Sequence, residues 1–120
     1  MSYADLEEFA KILVRDVRDA SIVESDLTLR PVEKGPIAKQ WREALQTGDP
    51  EHIVKTIIPD VVDCTISRLL WAIDDGALEL IFKTSTGKTL NLAKDLSDEL
   101  VGWYEDEWRK TLSNQRRTEY

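Results

Sequence analysis

The sequence is poor in the residues on which many small sites and small secreted folds depend. It has one cysteine and one histidine. One cysteine forms no internal disulfide, and the two residues together cannot supply the four ligands of a structural zinc site within one chain. Glycine (5) and proline (4) are sparse, and no stretch rich in Gly, Ser or Pro reads as a linker between domains. Long apolar runs are missing. A run such as Leu69-Leu70-Trp71-Ala72-Ile73 is far below the roughly 20 residues that span a bilayer. Basic residues are in the minority, 16 against 23 acidic ones, for a formal charge of −7. A positive surface built to grip nucleic acid is not expected from that balance. Residues 1–10 contain Asp5, Glu7 and Glu8, unlike a basic, apolar secretion signal. No Asn-x-Ser/Thr sequon occurs either. These absences favour a reducing, cytoplasmic compartment.

What is present reads as one folded domain over residues 1–120. Hydrophobic residues make up 42% and charged residues 32%, a globular and not a disordered balance. Charge is even along the chain, with 12 acidic and 8 basic residues up to position 60 and 11 and 8 after it. A chain of this length can bury about two-thirds of its unfolded surface.

The pattern predicts a small, mostly helical α+β fold. Leu6, Phe9, Ala10, Leu13, Val17 and Ala20 fall on one helical stripe behind a Ser2 cap, giving a helix over 3–20. Leu27 and Leu29 alternate with polar residues before Pro31, which fits a third short strand near 26–30 at a sheet edge. Gly35-Pro36 opens a helix that Gly48 closes, and Asp49-Pro50 opens the next. Pro59 implies a kink there or two helices, near 50–58 and 59–75. The segment 57–73 is apolar on two sides, with Val62, Ile66, Leu69 and Ile73 on one and Ile57, Cys64 and Trp71 on the other. A helix of that kind belongs in the middle of a fold, so 59–75 is read as the central helix. Alternation of Leu78, Leu80 and Phe82, a Thr84–Gly87 turn and Thr89–Leu92 give a β-hairpin over 77–92. Asp95–Leu112 reads as a last helix, acidic at its start and supported by Glu105–Arg109 and Asp106–Lys110 spacings.

Motifs for chemistry are tested against geometry. Gly87-Lys88-Thr89 lacks the upstream glycine of a phosphate loop, since Phe82 stands there, and it precedes a strand instead of a helix. His52 and Cys64, 12 residues apart on one helix, would sit about 18 Å from each other, too far for a nucleophile–base pair. Cys64, among Ile57, Val61, Val62 and Ile66, reads as an inert thiol. Asp60, Asp63 and Asp74 form a polar stripe on the central helix, and Asp95, Asp98 and Glu99 a second group. Such carboxylates can hold magnesium or divide into acid and base, but they also suit a solvated helix face. In the C-terminal helix Trp103, Tyr104 and Trp108 flank Glu105, Asp106 and Glu107, and aromatics of this kind anchor interfaces. Arg109, Lys110, Arg116 and Arg117 make its end basic.

No motif for a cofactor or metal survives these tests. The reading is therefore a non-catalytic binding or regulatory protein that acts through a protein partner, with Trp103, Tyr104, Glu105, Asp106, Glu107 and Trp108 as candidate contacts. A short acidic chain with aromatics at one end is similar in profile to immunity and inhibitor proteins that neutralise basic partners. Two alternatives stand beside it. One is a small magnesium-dependent hydrolase or nucleotide-handling enzyme built on Asp60, Asp63 and Asp74. The other is a homodimeric structural domain joined through the hairpin or the C-terminal helix. Nucleic acid and membrane are not expected as partners.

Overall fold

A computed structural model describes residues 3–95 and 99–114. Ser2, Leu96, Asp98, Arg116 and Arg117 lie outside the described residues, as does the side chain of Leu6.

The N-terminal stripe produces a helical rod. Helix α1 (Tyr3–Lys11), a π-helical stretch (Ile12–Asp19) and α2 (Ala20–Thr28) follow without a break, because Lys11 and Ala20 at the junctions keep right-handed helical angles. Glu7 and Lys11 pair at 3.6 Å. The strand expected near 26–30 is not formed, because α2 runs to Thr28. Here the Ser25 and Thr28 hydroxyls donate to the carbonyls of Ser21 and Glu24, each at 2.9 Å. The Leu29 amide is likewise taken up by Ser25 and Asp26. With these hydroxyls and this amide satisfied by the helix, two alternating leucines are too few to impose a strand. Pro31 then lies just beyond the helix end, where it is tolerated.

Helix α3 (Pro36–Thr47) has proline in its first turn and ends at Gly48, whose φ of 66° is the left-handed conformation that glycine supplies without strain. Asp49 caps α4 (Pro50–Asp74) by accepting the Glu51 amide at 3.1 Å. The two-helix reading of 50–75 is overturned: α4 passes through Pro59 as one helix of 25 residues. A mid-helix proline costs about 3 kcal/mol locally. Packing along the whole of α4, against α3, the π-helical stretch, α2 and the helical turn Leu100–Trp103, offsets it.

The core gathers around the C-terminal half of α4. Val17, Ala72, Ile73, Leu78 and Leu100 are buried together, with Leu69, Leu70, Leu80 and Trp108 packed against them. Helix α4 is central, but its apolar surface is not fully enclosed. Val62 and Trp71 remain about half exposed, since no element crosses those positions.

Strands β1 (Ile81–Lys83) and β2 (Thr89–Asn91) pair antiparallel with Phe82 opposite Leu90. Gly87, at φ 89°, closes the turn, and its amide donates to the Thr84 carbonyl at 3.0 Å. Leu78 and Leu80 point inward as expected. Phe82 does not, and it is 54% exposed. The hairpin meets the core only through its base, so a side chain further out has nothing to pack against.

The expected helix over 95–112 is divided into α5 (Leu92–Asp95), α6 (Leu100–Trp103), a π-helical stretch (Tyr104–Trp108) and α7 (Arg109–Thr111). Asp95 does not serve as a first-turn acid there, because its carboxylate accepts the Asn91 amide at 2.8 Å. The start of α6 is capped from a distance. Asp74 accepts the amides of Leu100 and Val101, each at 3.0 Å, one on each carboxylate oxygen. Removing such a cap costs about 1–2 kcal/mol. Asp74→Ala is therefore expected to lower the urea midpoint accordingly, and Asp74→Asn to lower it less. Equal stability of Asp74→Ala and wild type would contradict this role.

Among the described residues, no helix is long and apolar enough to cross a membrane.

Candidate functional site

The polar stripe of α4 lines a cavity of about 390 Å³ bounded by α2, α3, α4 and the C-terminal π-helical stretch. Asp60, Asp63, Cys64, Ser67, Arg68 and Trp71 all face it. Their spacing, in steps of three and four, is one side of a helix. Trp41 and Ala38 of α3, Glu24 of α2, and Glu105 and Arg109 supply the other walls.

Four of the acids in this cavity, Glu24, Asp60, Asp63 and Glu105, are tied to a neighbour. Asp60, 6% exposed, accepts the indole N–H of Trp41, 3% exposed, at 2.8 Å. Asp63 takes the Tyr104 hydroxyl on one oxygen at 2.7 Å and the Arg109 guanidinium on the other at 3.3 Å. Ser67 donates to Glu105 at 2.9 Å. Glu24 receives the Cys64 thiol at 2.5 Å and pairs with Arg68 at 3.4 Å. The Arg68 guanidinium also lies 5.8 Å from the centre of the Trp71 ring. Burial pushes the Tyr104 phenol well above its ordinary range, and the bond to Asp63 adds to the effect.

The same causes act on the thiol. Burial, then the hydrogen bond and charge of Glu24, push Cys64 up to about 12. The folded state thus favours the protonated thiol. The stabilisation is complete below the unfolded value near 9 and is lost as pH rises toward 12. Since the thiolate is the nucleophile, iodoacetamide should alkylate the folded chain at pH 8.5 at least ~100-fold more slowly than the urea-unfolded chain. Glu24→Gln should raise the folded rate. Equal rates in folded and unfolded chains would contradict the shielding. His52 is exposed on the same unbroken helix, so the separation from Cys64 read from the sequence stands.

The two residue groups singled out in the sequence meet here in part. Asp60 and Asp63 line the cavity, Glu105 reaches it from the C-terminal segment, and Tyr104 joins them through its bond to Asp63. Asp74 does not join them, because it is engaged with the first turn of α6. Asp106 and Glu107 are exposed and do not line the cavity. Trp103 and Trp108 stack on each other at 6.3 Å with planes 18° apart. Five residues apart on an α-helix they would point about 140° away from each other. The wider i→i+5 turn of the π stretch brings them together, as the Arg109 amide bonded to the Tyr104 carbonyl shows. The spacing of Glu105 and Arg109 suggested an ion pair. Instead Arg109 reaches Asp63, and its Nε donates to the Glu105 backbone carbonyl at 3.1 Å. Arg68, Trp71 and Cys64 were assigned no part in a site. Their three- and four-residue spacing from Asp60 and Asp63 was the available signal.

Among the described residues, no group of three His, Cys, Asp or Glu side chains is arranged to hold a metal ion. No protein-family model matches the sequence, and no curated protein or solved structure matches the chain.

Proposed function

We propose that the chain is a non-catalytic, cytoplasmic binding protein that receives a basic side chain of a protein partner in the α2–α3–α4 cavity. The observation that carries this reading is the makeup of the walls. Five carboxylates (Glu24, Glu33, Asp60, Asp63 and Glu105) stand against two guanidinium groups (Arg68 and Arg109), a formal −3, beside the indoles of Trp41 and Trp71. Carboxylates and indole faces together attract a guanidinium or ammonium group. Arg68 supports the reading from within the chain, since its guanidinium rests between Glu24 and the Trp71 ring at the cavity edge. The volume lies within the range of pre-formed sites for small groups. The excess negative charge of the whole chain would speed encounter with a basic partner.

The test is affinity capture from native extract at low and high salt, with wild type and Trp71→Ala as baits. Trp71 is half exposed, so its loss should leave the fold intact. The expected result is a basic protein held by wild type at low salt, released at high salt and weakened at least ~10-fold by Trp71→Ala. Background alone at both salts, or capture indifferent to Trp71, would overturn the proposal.

A further inference from the structure

We infer, building on the function proposed above, that the group the cavity takes is the guanidinium of an arginine, and that Arg68 is its internal stand-in, displaced when the partner's arginine enters. Among the described residues, the walls leave one place where a carboxylate and an accessible indole meet. Trp41 is 3% exposed and bonded to Asp60, so its ring offers no face to a visitor. Trp71 is 53% exposed and is the indole a cation can reach. Asp63 and Glu105 are held by Tyr104, Arg109 and Ser67. Glu33 is exposed and forms no ion pair among the described residues, so it adds to the attraction that draws a cation in. Glu24 is the acid that shares a cation with Trp71.

That cation is the chain's own. Arg68 Nη2 lies 3.4 Å from Glu24 Oε1, and Arg68 Cζ lies 5.8 Å from the centre of the Trp71 ring, within reach of a cation–π contact. The second Glu24 oxygen accepts the Cys64 thiol, so both carboxylate oxygens are engaged. A visiting cation therefore competes with Arg68 for the place. The stand-in also indicates the chemistry of the visitor. A planar guanidinium bonds a carboxylate and lies against an indole at once, whereas an ammonium is a compact, strongly hydrated charge.

Arg68 has a second resting place. Another cavity, of about 280 Å³, shares Arg68 and Trp71 with the first, and its other charged groups are Arg15, Asp16 and Asp75. Two carboxylates there face one guanidinium, so the set lacks one positive charge until Arg68 turns into it. Neither Asp16 nor Asp75 forms an ion pair among the described residues. The present hold on Arg68 is also light. The Arg68 and Glu24 side chains are 34% and 49% exposed, and a bridge so open to water contributes little. The exchange conserves charge in the first cavity, because one guanidinium leaves as another arrives.

The test is an NMR titration of the isotope-labelled full chain with N-acetylarginine methylamide and, separately, with its lysine analogue. The signals followed are the Trp71 indole N–H and the Arg68 Nε–H. Wild type should bind the arginine probe, with the Arg68 signal moving together with that of Trp71, and should bind the lysine probe at least ~5-fold more weakly. Arg68→Gln should bind the arginine probe at least ~5-fold more tightly than wild type, because a site that need not be vacated is fully competent. Arg68→Lys keeps the charge but grips the carboxylate and indole less well, so it should show part of that gain and separate occupancy from charge. Equal affinity of wild type and Arg68→Gln, no gain in Arg68→Lys, or an Arg68 signal that stays still while the probe binds would overturn the stand-in and leave the proposed function in place. A lysine probe bound as tightly as the arginine probe overturns the guanidinium assignment. Binding of neither probe by any of the three chains overturns the proposed function and this inference with it.

Discussion

Asp63→Ala is expected to destabilise the chain by about 3 kcal/mol, the lower end of the cost of removing one partner from a buried ion pair. The Asp63 and Arg109 side chains are 17% and 16% exposed. The remaining guanidinium would therefore keep most of its desolvation cost without the carboxylate that offsets it. The Tyr104 hydroxyl would lose its acceptor in the same step. Asp63→Asn should cost clearly less, because a carboxamide oxygen still accepts from Tyr104. The measurement is urea unfolding followed by fluorescence, with the midpoint lowered and the slope unchanged. A loss below about 1 kcal/mol for Asp63→Ala would mean that the pair behaves as an ordinary surface bridge.

Trp41→Phe is expected to cost about 2–3 kcal/mol. A hydrogen bond to a charged group contributes about 1.5–3 kcal/mol, and the missing ring leaves space behind. Both Trp41 and Asp60 are buried, and their 2.8 Å bond is a polar link between α3 and α4 at the cavity. In a double-mutant cycle with Asp60→Asn, a coupling of about 1–2 kcal/mol is expected. Additive effects would show that the two side chains act independently.

These residues also mark what could and could not be read in advance. Local signals worked where they are strong. Pro36 and Gly48 bounded α3, Asp49-Pro50 opened α4, and the alternation around a Thr84–Gly87 turn located the hairpin. Each is a backbone requirement met by its own residue. Leu27 and Leu29 misled because an alternation of two leucines fits a helix end as well as a strand. Pro59 misled because its local cost is set against packing along an entire helix, which no window around the proline contains.

The cavity was half legible. Asp60, Asp63 and Ser67 stood out as polar residues on an apolar helix. Their partners are 19 to 46 residues away in Trp41, Tyr104, Glu105 and Arg109, and nothing in the local pattern joins them. The π-helical turns changed the phase of the C-terminal segment, so Trp103 and Trp108 met where an α-helix would separate them. Enclosure was the other failure. Periodicity shows that a face is apolar, not whether the same chain covers it, and Val54, Ile58 and Val62 are left bare.

The grip of Asp74 on α6 has a topological consequence. A side chain at the end of α4 holds backbone amides at positions 100 and 101, so residues 75–99 form a loop whose two ends are pinned at one point. The hairpin lies wholly inside that loop, and Ser85, Thr86 and Gly87 of its turn are exposed. Lengthening a closed loop costs little, about 0.6 kcal/mol for each doubling. Exposed turns are also where insertions are best borne. The Thr84–Gly87 turn is thus a natural port for grafting an epitope, a fluorophore tag or a whole small domain. Both faces of α4 would keep their arrangement while the graft reported from outside.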